Sequence, residues 1–319
     1  MPDSEFDIIA RYFKRQRPER DDVLLGIGDD AALLQVPAGQ QLAVAVDTLV
    51  AGRHFPEQTS AADIGYKALA VNLSDLAAMG ATPAWATLSL TLPAVDAVWL
   101  QGFADGLFCL ADEYSVALVG GDTSCGPLSV TVQVHGFVEP GKALRRDAAS
   151  PGDAVFVSGV PGEAACALKQ VLQGVVPADT LLQRLNRPQP RVLLGQGLAG
   201  LASAAIDVSD GLLADLGHLL SASGCGATLW PDQLPRSPAL QALPAGQVLD
   251  CQLNGGDDYE LCFTLPVEHR ETLAAMQGRY SVSLQEVGVV EARAGLHCVY
   301  ADGRREVPDV LGYDHFRNG

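Results

Sequence analysis

Five short stretches of the sequence place aspartates where a predicted strand ends or a glycine-rich turn begins. They are Gly26-Ile27-Gly28-Asp29-Asp30, Val46-Asp47-Thr48, Asn72-Leu73-Ser74-Asp75, Gly120-Gly121-Asp122-Thr123 and Asp207-Val208-Ser209-Asp210-Gly211. Strand ends in open α/β sheets commonly form the ligand crevice. Carboxylates gathered there raise each other's pKa unless cations neutralise them. We therefore predict a single acidic pocket that holds several metal ions, and all-oxygen ligation favours Mg²⁺, Mn²⁺ or Ca²⁺ over zinc.

Each of these motifs, taken alone, is also typical of ordinary turn and helix-cap chemistry, because Asp beside Gly or Ser caps helices and closes turns. Two of the motifs go further. Asp29 and Asp30 are adjacent, and Asp207 and Asp210 lie three residues apart, so each pair places two carboxylates in one short turn. The paired carboxylates favour metal binding over capping alone.

Phosphate binding is predicted beside the metal ions. Gly120 and Gly121 leave the backbone before Asp122 without a Cβ, so its N–H groups can approach a phosphate, and the helix after Ser209 directs its positive end toward an anion. Arg145 and Arg146, on a predicted loop, are either phosphate clamps or part of a solvated turn. The sequence has no Walker A motif, so a nucleotide would be held in another way.

His54, seven residues after Asp47, has two interpretations: it orients a ligand, or it is structural, as a lone histidine often is. No Cys–His pair and no Gly-x-Ser-x-Gly motif supports a covalent nucleophile.

Composition and charge restrict the partners. The 319 residues are 48% hydrophobic, and 38 Asp and Glu against 21 Lys and Arg give a formal charge of −17. Such a field repels nucleic acid and anionic membrane surfaces, so we expect neither as a partner. The seven cysteines form no CxxC pair, and no signal peptide or membrane span is recognisable. We expect reduced thiols and a cytoplasmic protein.

Strand-like and helix-like segments alternate along the whole chain, which favours an α/β or α+β layered fold. The loop-forming run Ser150-Pro151-Gly152-Asp153 predicts a boundary between two domains, 1–150 and 151–319. The predicted elements include a strand over 41–47, a helix from Ser60 to Met79, a strand over 116–119 that delivers Gly120-Gly121-Asp122-Thr123, strands over 154–158 and 204–207 and a helix over 211–221.

Eight segments, taken in order, resemble the thiamine-monophosphate kinase family: GIGDDAAL, VDTLVAGRHF, YKALAVNLSDLAAMGA, GGDT, SPGD, DVSDGL, GGDDYELCF and GYDHF. Single motifs such as GGDT are weak, but eight in this order are specific and cover nearly the whole chain. They separate the chain from relatives that make aminoimidazole ribonucleotide or selenophosphate. The latter usually carry a reactive Cys or selenocysteine near the N-terminus, whereas the first Cys here is Cys109.

The resemblance implies Mg²⁺-dependent phosphorylation of thiamine monophosphate by ATP, the final step of thiamine diphosphate synthesis. It implies that domain 1–150 binds ATP and Mg²⁺ and that its mixed sheet pairs with a second subunit into a barrel-like interface of a homodimer. Domain 151–319, a sheet flanked by helices, would complete the active site. The alternatives are another ATP-dependent synthetase of the same superfamily and a non-catalytic module that binds cations or nucleotides.

The motifs also imply site residues. Mg²⁺ ligands would be Asp30, Asp47, Asp75, Asp122, Asp207 and Asp210, and the catalytic residues among them Asp47, Asp122 and Asp210. ATP contacts would be Gly121, Asp122, Arg146 and Ser209, and the residues at the thiamine phosphate His54, Asp257 and Tyr313. Two positions depart from the family pattern: Val46 stands where a hydroxyl residue is common, and Asp257 stands where Glu is usual.

Overall fold

A computed structural model describes residues 4–14 and 20–308. Tyr313, predicted to lie at the thiamine phosphate, is outside the described residues. The chain divides into two compact units, one made of residues 1–76 and 81–141 and the other of residues 77–80 and 142–319. The predicted functional division at residue 150 stays a prediction.

The first unit is built around a four-stranded sheet. Its elements are α1 (Glu5–Ile8), a π-helical turn (Ile9–Phe13), β1 (Val23–Leu25), β2 (Leu33–Leu34), β3 (Gln41–Val50), α2 (Ala61–Ala78), β4 (Thr82–Leu92), α3 (Ala97–Glu113), β5 (Ala117–Cys125) and β6 (Ser129–Val138). The strand order is β3-β6-β4-β5, in which β4 and β5 are parallel and the other pairs antiparallel. Strands β1 and β2 form a separate antiparallel pair.

One face of this sheet packs against α2 and α3. Leu88 of β4 and Val132 of β6 are buried there beside Leu69 and Leu107 of the two helices. The helices approach each other closely because Gly106 has no side chain: a Cβ at this position would overlap the backbone of α2. The sheet is therefore backed on one face by a tightly packed helical layer.

The second unit contains a seven-stranded sheet flanked by helices. Its elements are β7 (Ala154–Ser158), α4 (Glu163–Leu172), α5 (Asp179–Asn186), α6 (Val192–Leu198), β8 (Ala204–Val208), α7 (Leu212–Ser223), β9 (Gly226–Leu229), α8 (Pro238–Gln241), α9 (Ala245–Asn254), β10 (Glu260–Leu265), α10 (Arg270–Met276), β11 (Leu284–Glu291), β12 (Gly295–Val299) and β13 (Arg305–Glu306). The strand order is β13-β12-β9-β11-β7-β10-β8, and only β12 and β9 are parallel.

The predicted α/β layered fold class is confirmed, and one element differs in a way that affects the site. The strand predicted over 116–119 continues to Cys125, so Gly120-Gly121-Asp122-Thr123 lies within β5 rather than in a turn after it. The described part of one chain contains no closed barrel. Among the same residues, no helix is both long and apolar enough to span a membrane.

Candidate active site

A cavity of about 580 Å³ in the first unit collects carboxylates from three segments, one of which is α1 with Glu5. Asp29 and Asp30 come from the turn between β1 and β2, and Asp122 comes from β5. All three residues are exposed, and the backbone N–H of Asp30 donates a hydrogen bond to Oδ1 of Asp29 at 2.8 Å. The cavity therefore joins two of the predicted acidic motifs.

The glycine before Asp122 is required by packing. Gly121 has φ +149°, and a Cβ at this position would overlap the backbone of Leu88 on the neighbouring strand β4. The absence of side chains at Gly120 and Gly121 also leaves the β5 backbone bare on the cavity wall. Bare backbone next to an exposed carboxylate is an arrangement that suits a phosphate and its counter-ion.

Asp47 and Asp75 do not line this cavity. Asp47 lies in β3 opposite Val132 of β6, whereas Asp122 in β5 lies opposite Ser89 of β4. Since β6 and β4 separate β3 from β5, the backbones at Asp47 and Asp122 are about 14 Å apart at ordinary strand spacing. Strand order therefore places the aspartates of the first unit in two groups, and the gathering of all of them in one pocket stays a prediction.

A buried amide connects the strand of Asp47 to the helix of Asp75. The backbone N–H of Asp47 donates to Oδ1 of Asn72 at 2.9 Å, and Nδ2 of Asn72 donates to the carbonyl of Ala68 at 2.9 Å. Asn72 is fully buried on α2, one helical turn before the half-buried Asp75. The Asn-x-x-Asp spacing thus fixes the helix that carries Asp75 against β3.

His54 lies in the turn that follows β3. Its Nδ1 accepts a hydrogen bond from the backbone N–H of Val50 at 2.9 Å, which assigns the proton of a neutral ring to Nε2. The ammonium of Lys67 on α2 donates to the His54 carbonyl at 3.2 Å. Ring and backbone are both held in place, so the side chain has a structural role whether or not it contacts a ligand.

In the second unit, three loops meet at one end of the neighbouring strands β7, β10 and β8. Strand β10 is antiparallel to both β7 and β8, so the start of β10 lies beside the ends of the other two strands. Asp257 precedes β10, and Ser209 and Asp210 follow β8. The backbone N–H of Asp257 donates to the carbonyl of Ser209 at 2.9 Å. The structure thus brings together two motifs that are about 50 residues apart.

The turn after β8 is held by a carboxylate that the sequence analysis missed. Oδ2 of Asp215, on the first turn of α7, accepts hydrogen bonds from the N–H groups of Ser209, Asp210 and Gly211 at 3.0, 3.0 and 3.1 Å. Burial, opposed by these hydrogen bonds, raises the pKa of Asp215 to about 7. The spacing of Asp215 four residues after Gly211, in the first turn of a helix, is the signal that could have found it.

Arg146 is exposed on the segment before β7, and its carbonyl accepts a hydrogen bond from Oγ of Ser223 at 2.7 Å. The neighbouring Arg145 forms an exposed ion pair with Asp147. Of the two arginines singled out as phosphate clamps, Arg145 is therefore engaged within its own loop.

Comparisons with known proteins identify the family of the chain. A family model described as "AIR synthase related protein, N-terminal domain" matches residues 28–138. The thiamine-monophosphate kinase of Salmonella typhimurium is 52% identical over 324 residues, which cover 99% of each chain. The chain belongs to the thiamine-monophosphate kinase family.

Solved structures of this family share the fold. A thiamine-monophosphate kinase from Stenotrophomonas maltophilia matches with a TM-score of 0.86 and 50% identity, covering 91% of this chain and 93% of the other. A structure described as AaThiL complexed with AMPPCP and TMP matches with a TM-score of 0.76 and 30% identity, covering 88% and 89%. The backbone architecture found here is therefore that of thiamine-monophosphate kinases.

The donor atoms of the first unit fit Mg²⁺. Within residues 4–14 and 20–308, no group of three or more His, Cys, Asp or Glu side chains is placed to enclose a metal ion. Mg²⁺ is usually held by one or two carboxylates together with substrate phosphates and waters, rather than by a cage of protein ligands. Exposed Asp30 and Asp122 beside bare backbone match that pattern.

The segment before β10 has a backbone conformation that is uncommon for residues with side chains. Asp257 and Tyr259 have φ values of +69° and +51°. The segment is held by Tyr259 N–H, which donates to the carbonyl of Val208 at 2.8 Å, and by the carboxylate of Asp258, which accepts from Gly162 N–H at 2.7 Å. Such strain persists only where the surroundings impose it, and it is common at ligand sites.

The buried carboxyl group of Asp258 is expected to make the stability of the protein depend on pH. Burial raises its pKa well above the ordinary value, opposed by backbone hydrogen bonds such as that from Gly162. Above about pH 4 the Asp258 side chain loses its proton in the unfolded chain and keeps it in the native chain. This difference in proton binding lowers the free energy of unfolding as pH rises toward the native pKa of Asp258. We expect Asp258→Asn to lose this pH dependence. Plots of the free energy of unfolding against pH for the variant and the wild type then differ in slope by up to about 1.4 kcal/mol per pH unit. Urea unfolding between pH 4.5 and 8 measures it, and parallel curves for the two proteins would contradict the prediction.

Proposed function

We propose that this chain transfers the γ-phosphoryl group of ATP to thiamine monophosphate and forms thiamine diphosphate. The observation that carries the proposal is the first-unit cavity, in which Asp29, Asp30 and Asp122 face the bare backbone of Gly120 and Gly121. Family membership over 99% of the chain supports the reaction, as does the relative described as complexed with AMPPCP and TMP.

The reaction proposed is a direct in-line transfer to a terminal phosphate oxygen of thiamine monophosphate. This acceptor is already ionised at neutral pH, so the enzyme requires no strong general base. Catalysis then depends on alignment of the two reactants and on neutralisation of their charge. Asp30 and Asp122 would hold Mg²⁺, whose positive charge would offset the charge of the phosphates in a chain that is itself strongly acidic.

Roles are proposed for the residues that the motifs single out. In the first unit, Gly121 and Asp122 bind ATP and its ions, and Asp30, Asp47 and Asp75 hold further Mg²⁺. Their division into two groups suits several ions better than one. In the second unit, Arg146 and Ser209 contact ATP, and Asp207 and Asp210 hold Mg²⁺. Asp257 is proposed to lie at the thiamine phosphate. His54 and Tyr313 are proposed to contact the phosphate of thiamine monophosphate.

The exposed side chains of the edge strand β3 support the proposal of a homodimer. This strand lies at one edge of its sheet, and four of its side chains form an exposed apolar stripe: Leu42, Val44, Val46 and Val50. An exposed, apolar edge strand is suited to pair with another strand, and the N-terminal sheet of a second subunit is the partner that the family resemblance implies. The proposal includes the barrel-like arrangement of the two sheets and a cytoplasmic location, in which the seven free cysteines stay reduced.

The proposed interface predicts that a charge placed in the apolar stripe of β3 prevents dimer formation. Val44→Glu places a charge in the apolar stripe, and we expect it to shift the protein from dimer to monomer in light scattering after size exclusion. Val267→Glu is the matched control, because Val267 is 50% exposed on the second unit and Val44 is 52% exposed. A Val44→Glu protein that stays dimeric, or a wild-type monomer, would contradict the proposed interface.

The activity is tested by incubating the purified chain with ATP, Mg²⁺ and thiamine monophosphate and measuring thiamine diphosphate by chromatography together with ADP release. We expect the two products in equal amounts. Formation of aminoimidazole ribonucleotide from its own precursor instead would favour another synthetase of the superfamily. Metal-dependent nucleotide binding without ADP release would favour a non-catalytic module.

A further inference from the structure

The N-terminal helical segment, Ser4–Lys14, presents an aromatic ring to the first-unit cavity. Phe6, Ile9 and Phe13 follow one another at intervals of three and four residues, which places them on one helical face, and all three line the cavity. Ile8 and Tyr12 of the same segment are buried and anchor it to the unit. Phe6 is 78% exposed. Its ring therefore contributes little to the core while facing the cavity that holds Asp122.

The segment is fixed in place as well as exposed. Ser4 and Asp7 form a reciprocal capping box at its start, and a π-helical turn over Ile9–Phe13 closes its end. Phe13 packs edge-to-face on Phe103 of α3 with ring centroids 6.3 Å apart. Single π-helical turns are rare and occur often at functional sites.

The cavity is lined by two chemically different sets of side chains. The apolar set is Phe6, Ile9, Phe13, Leu118 and Val119, and the acidic set is Glu5, Asp29, Asp30 and Asp122. The ammonium of Lys14 lies against Gly28, which also lines the cavity, 3.0 Å from the point where a Cβ would be. A volume of about 580 Å³ is in the range of cofactor sites. A ligand that matches both sets has a flat aromatic group joined to phosphates and their divalent cations.

We propose that segment Ser4–Lys14 is the base-binding wall of the nucleotide site, with Phe6 stacked on the purine ring and Lys14 directed to the phosphates. This assignment rests on the proposed function, which supplies ATP as the nucleotide. It adds residues of the first helix that no acidic or glycine-rich motif contains. The aromatic face accepts the base by stacking, and the ammonium offsets part of the negative charge around the triphosphate.

The test separates the base from the phosphates. Calorimetry with Mg²⁺ and a non-hydrolysable ATP analogue is compared with calorimetry with Mg²⁺ and inorganic tripolyphosphate, which has no base. We expect Phe6→Ala to weaken binding of the ATP analogue about 5- to 50-fold and to leave tripolyphosphate binding unchanged, on the scale of one stacked base. Phe6→Trp retains analogue binding, and Lys14→Gln weakens both ligands. Leu172→Ala is the control, because Leu172 is 75% exposed on α4 of the other unit.

The outcomes distinguish this assignment from the proposed function. If Phe6→Ala binds the analogue as the wild type does, or loses both ligands equally, Phe6 does not contact the base and the assignment fails. In that case wild-type formation of thiamine diphosphate still supports the function. A wild-type chain that binds no nucleotide overturns both.

Discussion

We expect Asp122→Asn to lower kcat/KM for thiamine diphosphate formation by roughly 10²–10³-fold, the scale of one preorganised electrostatic contact of about 3–4 kcal/mol. The substitution keeps the size of the side chain and removes its charge. Asp122 is exposed on the cavity wall, so the fold does not depend on its burial. The loss therefore reports on the charge that Asp122 supplies to the metal-bound phosphates.

The measurement is steady-state kinetics at saturating Mg²⁺, with thermal unfolding of both proteins to show that stability is unchanged. Asp21→Asn is the matched control, because Asp21 is an exposed aspartate of the same unit that does not line the cavity. We expect the control to retain full activity. Near-normal turnover of Asp122→Asn would show that Asp122 does not act at the reacting phosphates.

The difference between the predicted and observed position of Gly120-Gly121 shows what local sequence can and cannot determine. Two glycines before an aspartate are typical of a turn, and the prediction ended the strand at Val119 for that reason. In the structure β5 continues to Cys125, because it stays paired with β4 to that residue, and Gly121 lies so close to the backbone of Leu88 that only glycine fits. The requirement for glycine comes from packing between strands, which no local pattern contains.

Strands that are buried along their whole length could be predicted well. The predicted strand over 154–158 is β7 as observed, and the one over 204–207 differs from β8 by one residue. These strands are continuous apolar runs between polar loops, so their limits are visible in the sequence. Helices α5 and α9 were missed, because their apolar residues are interrupted by polar ones and no clear cap marks the start of α9.

The candidate site could be predicted only as separate motifs. Asp257 and Ser209 are joined by a backbone hydrogen bond because β8 and β10 are neighbours, and strand order is a property of the whole sheet. The division between Asp47 and Asp122 likewise follows from the two strands that lie between them. Phe6 belongs to none of the acidic or glycine-rich motifs, and only the cavity shows that its side chain lies at the proposed nucleotide site.

The largest expected effect on stability is at an ion pair just after the Asp257 segment. Glu260, the first residue of β10, is buried, and Nε of Arg191 donates to its Oε2 at 2.6 Å. Oγ of Ser158 donates to the same carboxylate. Arg191→Met leaves this carboxylate buried without its cationic partner, so we expect the free energy of unfolding to fall by about 3–5 kcal/mol in urea titrations at pH 7.

Two further variants separate loss of the partner from loss of packing. Arg191→Met combined with Glu260→Gln removes both charges, and we expect it to recover most of the lost stability, since an uncompensated buried charge causes the main penalty. Arg145→Met breaks the exposed pair with Asp147, and we expect it to change stability by less than about 1 kcal/mol. Equal effects of Arg191→Met and Arg145→Met on the free energy of unfolding would show that burial of the Glu260 carboxylate does not cause the loss of stability. Because Glu260 begins the strand that follows Asp257 and Tyr259, the pair stabilises the backbone that carries the proposed substrate-binding carboxylate.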